Sequence, residues 1–150
     1  MRFRAVTLSI GLLALLPAAA SARIVPQKSI GGIAIDMTKG QVKAKAGKPL
    51  DSHRDGEFTF WTFPHHLEVV FRGGNKVTSV ATNGRYHRTA NGIGVGSTRK
   101  EVRAGLMGES CNAADCFLGD LAPGTIYTDF SFGATPGGKK VRSISIVRQR

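Results

Sequence analysis

Acidic side chains and cysteines are scarce in this chain. Ten Asp and Glu stand against 21 Lys and Arg, a formal net charge of +11, and 150 residues include two cysteines. Cys111 and Cys116 lack C-x₂-C spacing and have no histidine near in sequence, so the ligand count for structural zinc fails. No serine sits in a G-x-S-x-G elbow, which excludes the nucleophile turn of an α/β-hydrolase. Low-complexity tracts are absent as well. A long membrane span is also missing: the apolar run over residues 5–16 falls short of the roughly 20 residues a span needs, and Pro17 follows it.

What the first residues do contain is an export address. Arg2 and Arg4 precede that apolar run, and Ala20-Ser21-Ala22 supplies the small residues a signal peptidase requires, so a secretory signal is expected over 1–22. No cysteine follows the small residues, so no bacterial lipid anchor is expected. The remaining 23–150 should form a single domain, large enough to bury a real core. It carries 19 basic and 10 acidic side chains, net +9. In an exported protein such a charge suits anionic cell-wall polymers, anionic lipid headgroups or an acidic protein better than nucleic acid. The expected location is extracytoplasmic, in or beyond a bacterial envelope. There Cys111 and Cys116 should pair. A ring this short stabilises by about 2 kcal/mol.

One stretch occurs twice. Residues 32–47, "GIAIDMTKGQVKAKAG", align with residues 92–108, "GIGVGSTRKEVRAGLMG", at a shift of 60 positions that matches Gly32 to Gly92, Ile33 to Ile93, Ile35 to Val95, Thr38 to Thr98 and Val42 to Val102. Thr38 is followed three residues on by Gln41, and Thr98 by Glu101, so each copy carries a capping box. Val42 and Ala46, and Val102 and Leu106, share one helical face at i and i+4. Gly47 and Gly108 suit a left-handed stop, giving a helix of about nine residues per copy.

Period-two patterning follows each helix. Residues 58–63, aromatic-rich, then 67–72 and 77–82 read as strands, with Gly73-Gly74-Asn75-Lys76 as a hairpin turn. In the second half, 126–132 and 141–148 alternate around a turn at 134–138. The expected fold is therefore α+β: two tandem helix-plus-antiparallel-meander repeats, about 29–84 and 89–148, joined near 85–91. They should share one sheet with both helices on one face. Neither half alone buries enough apolar surface to offset chain entropy, and sharing a sheet solves that.

Chemistry is thinly signalled. His53, Asp55 and Glu57 could face one way if they lay on a strand, which would make a small metal-dependent hydrolase; a polar, glycine-containing stretch reads more readily as a solvated loop. His65 and His66 after Pro64 read as an exposed turn. Gly92, Gly94 and Gly96 match half of a dinucleotide fingerprint with no βαβ unit behind it, so no cofactor is expected. The stronger signal is surplus aromatics. With Phe58 and Phe60 beneath the helices, Trp61 and Phe63 should emerge on the opposite face beside Tyr127 or Phe130 as a candidate binding surface.

The tandem "G-I-x-I/V-x-x-T-x-x-Q/E-V" units with their meanders resemble secreted bacterial proteins of the β-lactamase-inhibitor-protein type. A single copy, through Met37, Thr38, Val42, Gly47 and Pro49, resembles the SmpA/OmlA domain of outer-membrane assembly. The first resemblance implies a concave sheet that binds a protein, as an inhibitor does; the second implies an assembly or structural role in the envelope. The chain departs from the first in having no disulfide in its first copy, and from the second in lacking the anchor cysteine. The function expected is a non-catalytic binding module for a protein or an anionic envelope component.

Overall fold

Both capping boxes form. Thr38 and Thr98 adopt the same extended backbone, φ −77° and ψ 160°, each accepts the N–H of the residue three on, and Gln41 and Glu101 reach back to the cap N–H at 2.8 and 2.6 Å. They open α1 (Lys39–Ala46) and α2 (Arg99–Gly105). Gly47 stops α1 as expected, at φ 80° with its N–H on the Lys43 carbonyl. In α2 the stop comes three residues before Gly108, because Leu106 turns extended to bury its side chain in the core. The helices have eight and seven residues rather than nine.

The computed structural model describes residues 23–133 and 139–150; the expected signal over 1–22 and the turn at 134–138 lie outside them. In chain order the strands are β1 (Ile24–Val25), β2 (Ser29–Ile30), β3 (Ile33–Ala34), β4 (Asp51–Asp55), β5 (Phe58–Phe63), β6 (Leu67–Arg72), β7 (Lys76–Thr82), β8 (Glu109–Cys111), β9 (Asp115–Leu118), β10 (Ile126–Ser131) and β11 (Ser143–Arg148). The first three make a small antiparallel sheet, and the rest an eight-stranded antiparallel sheet of order β4-β5-β6-β7-β11-β10-β9-β8. The architecture is α+β, with two helices among the described residues.

Register assigns the faces. Phe63 opposes Leu67, Trp61 opposes Val69, Val69 opposes Val80, Val80 opposes Ile146, and Ile144 opposes Phe130, so these side chains all point one way. That face is buried, in one cluster with Val42 of α1, Val102 of α2 and Ile30 and Ile33 of the small sheet. The expected assignment is therefore reversed: Trp61, Phe63 and Phe130 are core, while Phe58 and Phe60 lie half-buried on the other face. Two physical terms decide it. β6 buries Leu67, Val69 and Phe71 and leaves Glu68 and Arg72 outward, and β5 must match that choice. The lysines of α1 then lie over Trp61, with the Lys39 and Lys43 ammoniums 5.9 and 5.3 Å from its ring centre.

The stretches around the two caps repeat in detail. Asp36 donates its N–H to the Val77 carbonyl and the Val77 N–H goes to Met37; Gly96 donates to the Val141 carbonyl and the Val141 N–H goes to Ser97, all at 2.8–2.9 Å. Isolated bridges tie Thr38 to Lys76 and Thr98 to Lys140. Cys111 and Cys116 are bonded to each other directly across the β8–β9 hairpin.

Candidate functional site

The face of the large sheet that neither helix covers is organised by side-chain size. On the two central strands it carries Ser79, Ala81, Ser143 and Ser145, mostly small residues that cross the middle of the sheet, with Val147 opposite Ser79. On the flanks it carries rings. His53 of β4 stacks flat on Phe60, centroids 4.8 Å apart and planes 4° from parallel, and Phe58 stands 6.3 Å from Phe60. On the opposite flank Phe117 and Tyr127 meet edge to face at 6.1 Å. Large walls about a small-residue floor leave a shallow trough, with a depression of about 240 Å³ at one end lined by residues including Thr62, His66, Glu68 and Asn83.

Its charge differs from that of the chain as a whole. Asp51, Asp55, Glu68, Asp115 and Asp129, half of the chain's ten acids, point to this side by register; Arg72 and Lys76 are the strand cations that accompany them, and the Arg150 guanidinium lies over the Phe58 ring at 5.2 Å. Asp129 is directly opposite Phe117, and its Oδ1 has no hydrogen-bond partner among the described residues. Burial first, and the neighbouring Asp115 carboxylate second, push its carboxyl up to about 7. The Tyr127 hydroxyl is raised for the same reasons, burial and then Asp129.

Of the four aromatics expected at the binding surface, Tyr127 is on this face and the other three are in the core. His53 and Asp55 lie on a fully exposed edge strand instead of a loop. Glu57 turns away to Arg72, 2.7 Å from its Nε, so the trio does not converge. No group of three His, Cys, Asp or Glu close enough to share a metal ion occurs among the described residues.

A second cluster carried only a faint sequence signal. His65 and His66 form the exposed turn after Pro64, both in left-handed backbone at φ 62° and 58°, a strained conformation for non-glycine residues. Gly84 lies beneath the His65 carbonyl, where a side chain would clash with it. Tyr86 stacks on His65 at 3.7 Å, and both line a cavity of about 250 Å³ with His87. His87 is 3% exposed and neither ring nitrogen finds a partner among the described residues. Burial, and secondarily His65, lower its pKa and keep it neutral.

No protein-family model matches the chain, and no curated protein does. Among solved structures, an extracellular protein containing a SCP domain from Bacillus anthracis is similar at 12% identity and a TM-score of 0.50, over 76% of this chain and 44% of that one. A DUF4309-family protein from Bacillus subtilis is similar at 13% identity and a TM-score of 0.43, over 75% of this chain and 78% of that one. This chain thus spans less than half of the first structure. At such identity the likeness concerns the fold alone, a small β-rich α+β domain. No helix among the described residues is long and apolar enough to cross a membrane.

Proposed function

We propose that the chain is an exported, non-catalytic binding module whose uncovered sheet face recognises a protein with a basic contact surface. In this reading two tandem helix-plus-meander units share the large sheet, both helices pack its buried face, and the face left over is the functional one. The observation that carries it is the trough: rings on the flanks, small residues between them, and half of the acids of a strongly basic chain gathered on one side. Aromatic anchors bind with large area at little rotamer cost, and a complementary field steers the encounter. The matching hydrogen bonds of Asp36 and Gly96 with Val77 and Val141 support the tandem arrangement. The Cys111–Cys116 disulfide suits an oxidising compartment, which supports export. An acidic trough disfavours anionic polymers as its occupant, so of the partners expected for the sheet the protein is the better fit.

The test is capture from the native envelope with the immobilised 23–150 chain, repeated with Phe60→Ala and Tyr127→Ala. Each should weaken binding of the captured partner by about 2 kcal/mol or more, and capture should fall as salt rises. Equal capture by both variants and the parent would refute the proposal.

A further inference from the structure

The repeated segment supplies an internal comparison. Asp36 and Gly96 are equivalent: each precedes its cap threonine by two residues, each has left-handed backbone at φ 67° and 93°, and each donates its N–H to a valine carbonyl. In the first copy the Asp36 carboxylate is paired with the Arg148 guanidinium at the end of β11. In the second copy there is no carboxylate, because residue 96 is glycine. A guanidinium is nevertheless in place: Nε and Nη2 of Arg85 lie 3.5 and 3.9 Å from where a Cβ of residue 96 would stand.

Around this half-made pair is a cleft of about 350 Å³, to which Arg85, Arg88 and Lys140 contribute cations and Glu101 the one carboxylate. Glu101 is already committed to the cap, taking the Thr98 N–H at 2.6 Å and its hydroxyl at 2.9 Å. Arg88 is held by a bond from Nη1 to the Gly92 carbonyl at 2.8 Å. Three cations against one carboxylate leave a surplus of two positive charges around Gly96, which has no side chain. None of these residues belongs to the uncovered sheet face, so the cleft is a separate site.

We propose that this cleft binds a phosphate group of an external ligand, with Arg85 contacting it as Arg148 contacts Asp36. A phosphate matches the surplus charge better than a carboxylate does, and a guanidinium offers it paired donors. Glycine at 96 is what leaves the space. An aspartate there would stand in left-handed backbone as Asp36 does, at φ 93° instead of 67° and so at some cost in strain; it would fill the place with an internal anion.

Inorganic phosphate titrated calorimetrically into the 23–150 chain, at constant ionic strength, is the first probe. Saturable binding at one site is expected, and Arg85→Gln and Gly96→Asp should each weaken it ten-fold or more. Lys45→Gln, removing an exposed cation of α1, should leave it unchanged. Circular dichroism checks that the variants fold; should Gly96→Asp fail to fold, the Arg85→Gln and Lys140→Gln pair decides. Co-sedimentation with phosphatidylglycerol vesicles but not phosphatidylcholine vesicles, lost in Arg85→Gln, would assign the phosphate to a lipid headgroup; phosphate binding without sedimentation would assign it to a soluble ligand. Absence of saturable binding, or binding that Arg85→Gln and Gly96→Asp leave intact, overturns the proposal.

Discussion

Trp61→Ala tests the assignment of sheet faces most directly. The indole is 6% exposed, meets Phe71 edge to face at 4.7 Å and Phe63 at 6.3 Å, and lies beneath Lys39 and Lys43. Truncation removes a buried ring from between two helix-borne lysines and the centre of the first meander, a space the backbone of β5 cannot close. The cost should be about 4 kcal/mol, lost transfer energy plus cavity. For a domain whose total stability is about 5–15 kcal/mol that is a large share, and it should appear as a fall of roughly 10–20 °C in Tm. Phe60→Ala, a half-buried ring on the uncovered face of the same strand, should cost about 2 kcal/mol, because part of the area it loses was already wet and no enclosed cavity is left. Urea denaturation followed by circular dichroism gives both values. Trp61 is the chain's only tryptophan, so the parent's emission is an independent reading: blue-shifted and shielded from iodide. A Trp61→Ala loss below about 1 kcal/mol, or free iodide quenching, would refute the face assignment.

Thr38→Ala and Thr98→Ala should each cost about 1 kcal/mol through the lost cap, measurable by thermal melts, with the two losses additive if the caps act independently. The pH dependence of stability has two separable limbs. Asp129 holds its proton to about 7 when folded and only to near 3.8 when unfolded, so its contribution is full below 3.8 and is lost as pH rises through 7. Asp129→Asn should remove that loss, a relative gain of about 1 kcal/mol at pH 8 once solvent access to the half-buried carboxyl is counted. His87 works in the opposite sense. Its folded pKa lies below the ordinary 6.5, so stability falls as pH drops beneath 6.5, and His87→Leu should flatten that acid limb in denaturation curves taken across the range.

The parts legible in the sequence were those whose cause is local. A capping box is complete within four residues, so both helix starts could be read directly, and a cysteine pair five apart specified its own partner. The faces of the sheet were not local. Period two in β5 separates Phe58 and Phe60 from Trp61 and Phe63 without saying which pair is covered; the answer came from the partner strand, through Phe63 opposite Leu67. Counting back across the Pro64–His66 turn from the plainly amphipathic β6 would have supplied it. The two-residue strands β1–β3 are too short for any period to be seen. The cleft draws on Arg85, Arg88, Gly96 and Lys140, separated segments that no window along the chain brings together.

The order of the large sheet leaves β4 and β8 as its two borders, each with one side unpaired within the sheet. Exposed borders invite another strand to add on, the route by which β-rich proteins polymerise. Here β4 reads Asp-Ser-His-Arg-Asp, exposed along its whole length, and an incoming strand would have to bury both signs of charge at once. β8 is three residues long and clamped to its neighbour by the disulfide, too short to template a ladder. The margins of this wide, half-apolar sheet are therefore poor seeds for strand addition. Fibril growth should become easier when β4 loses its charges than when the sheet's centre is altered.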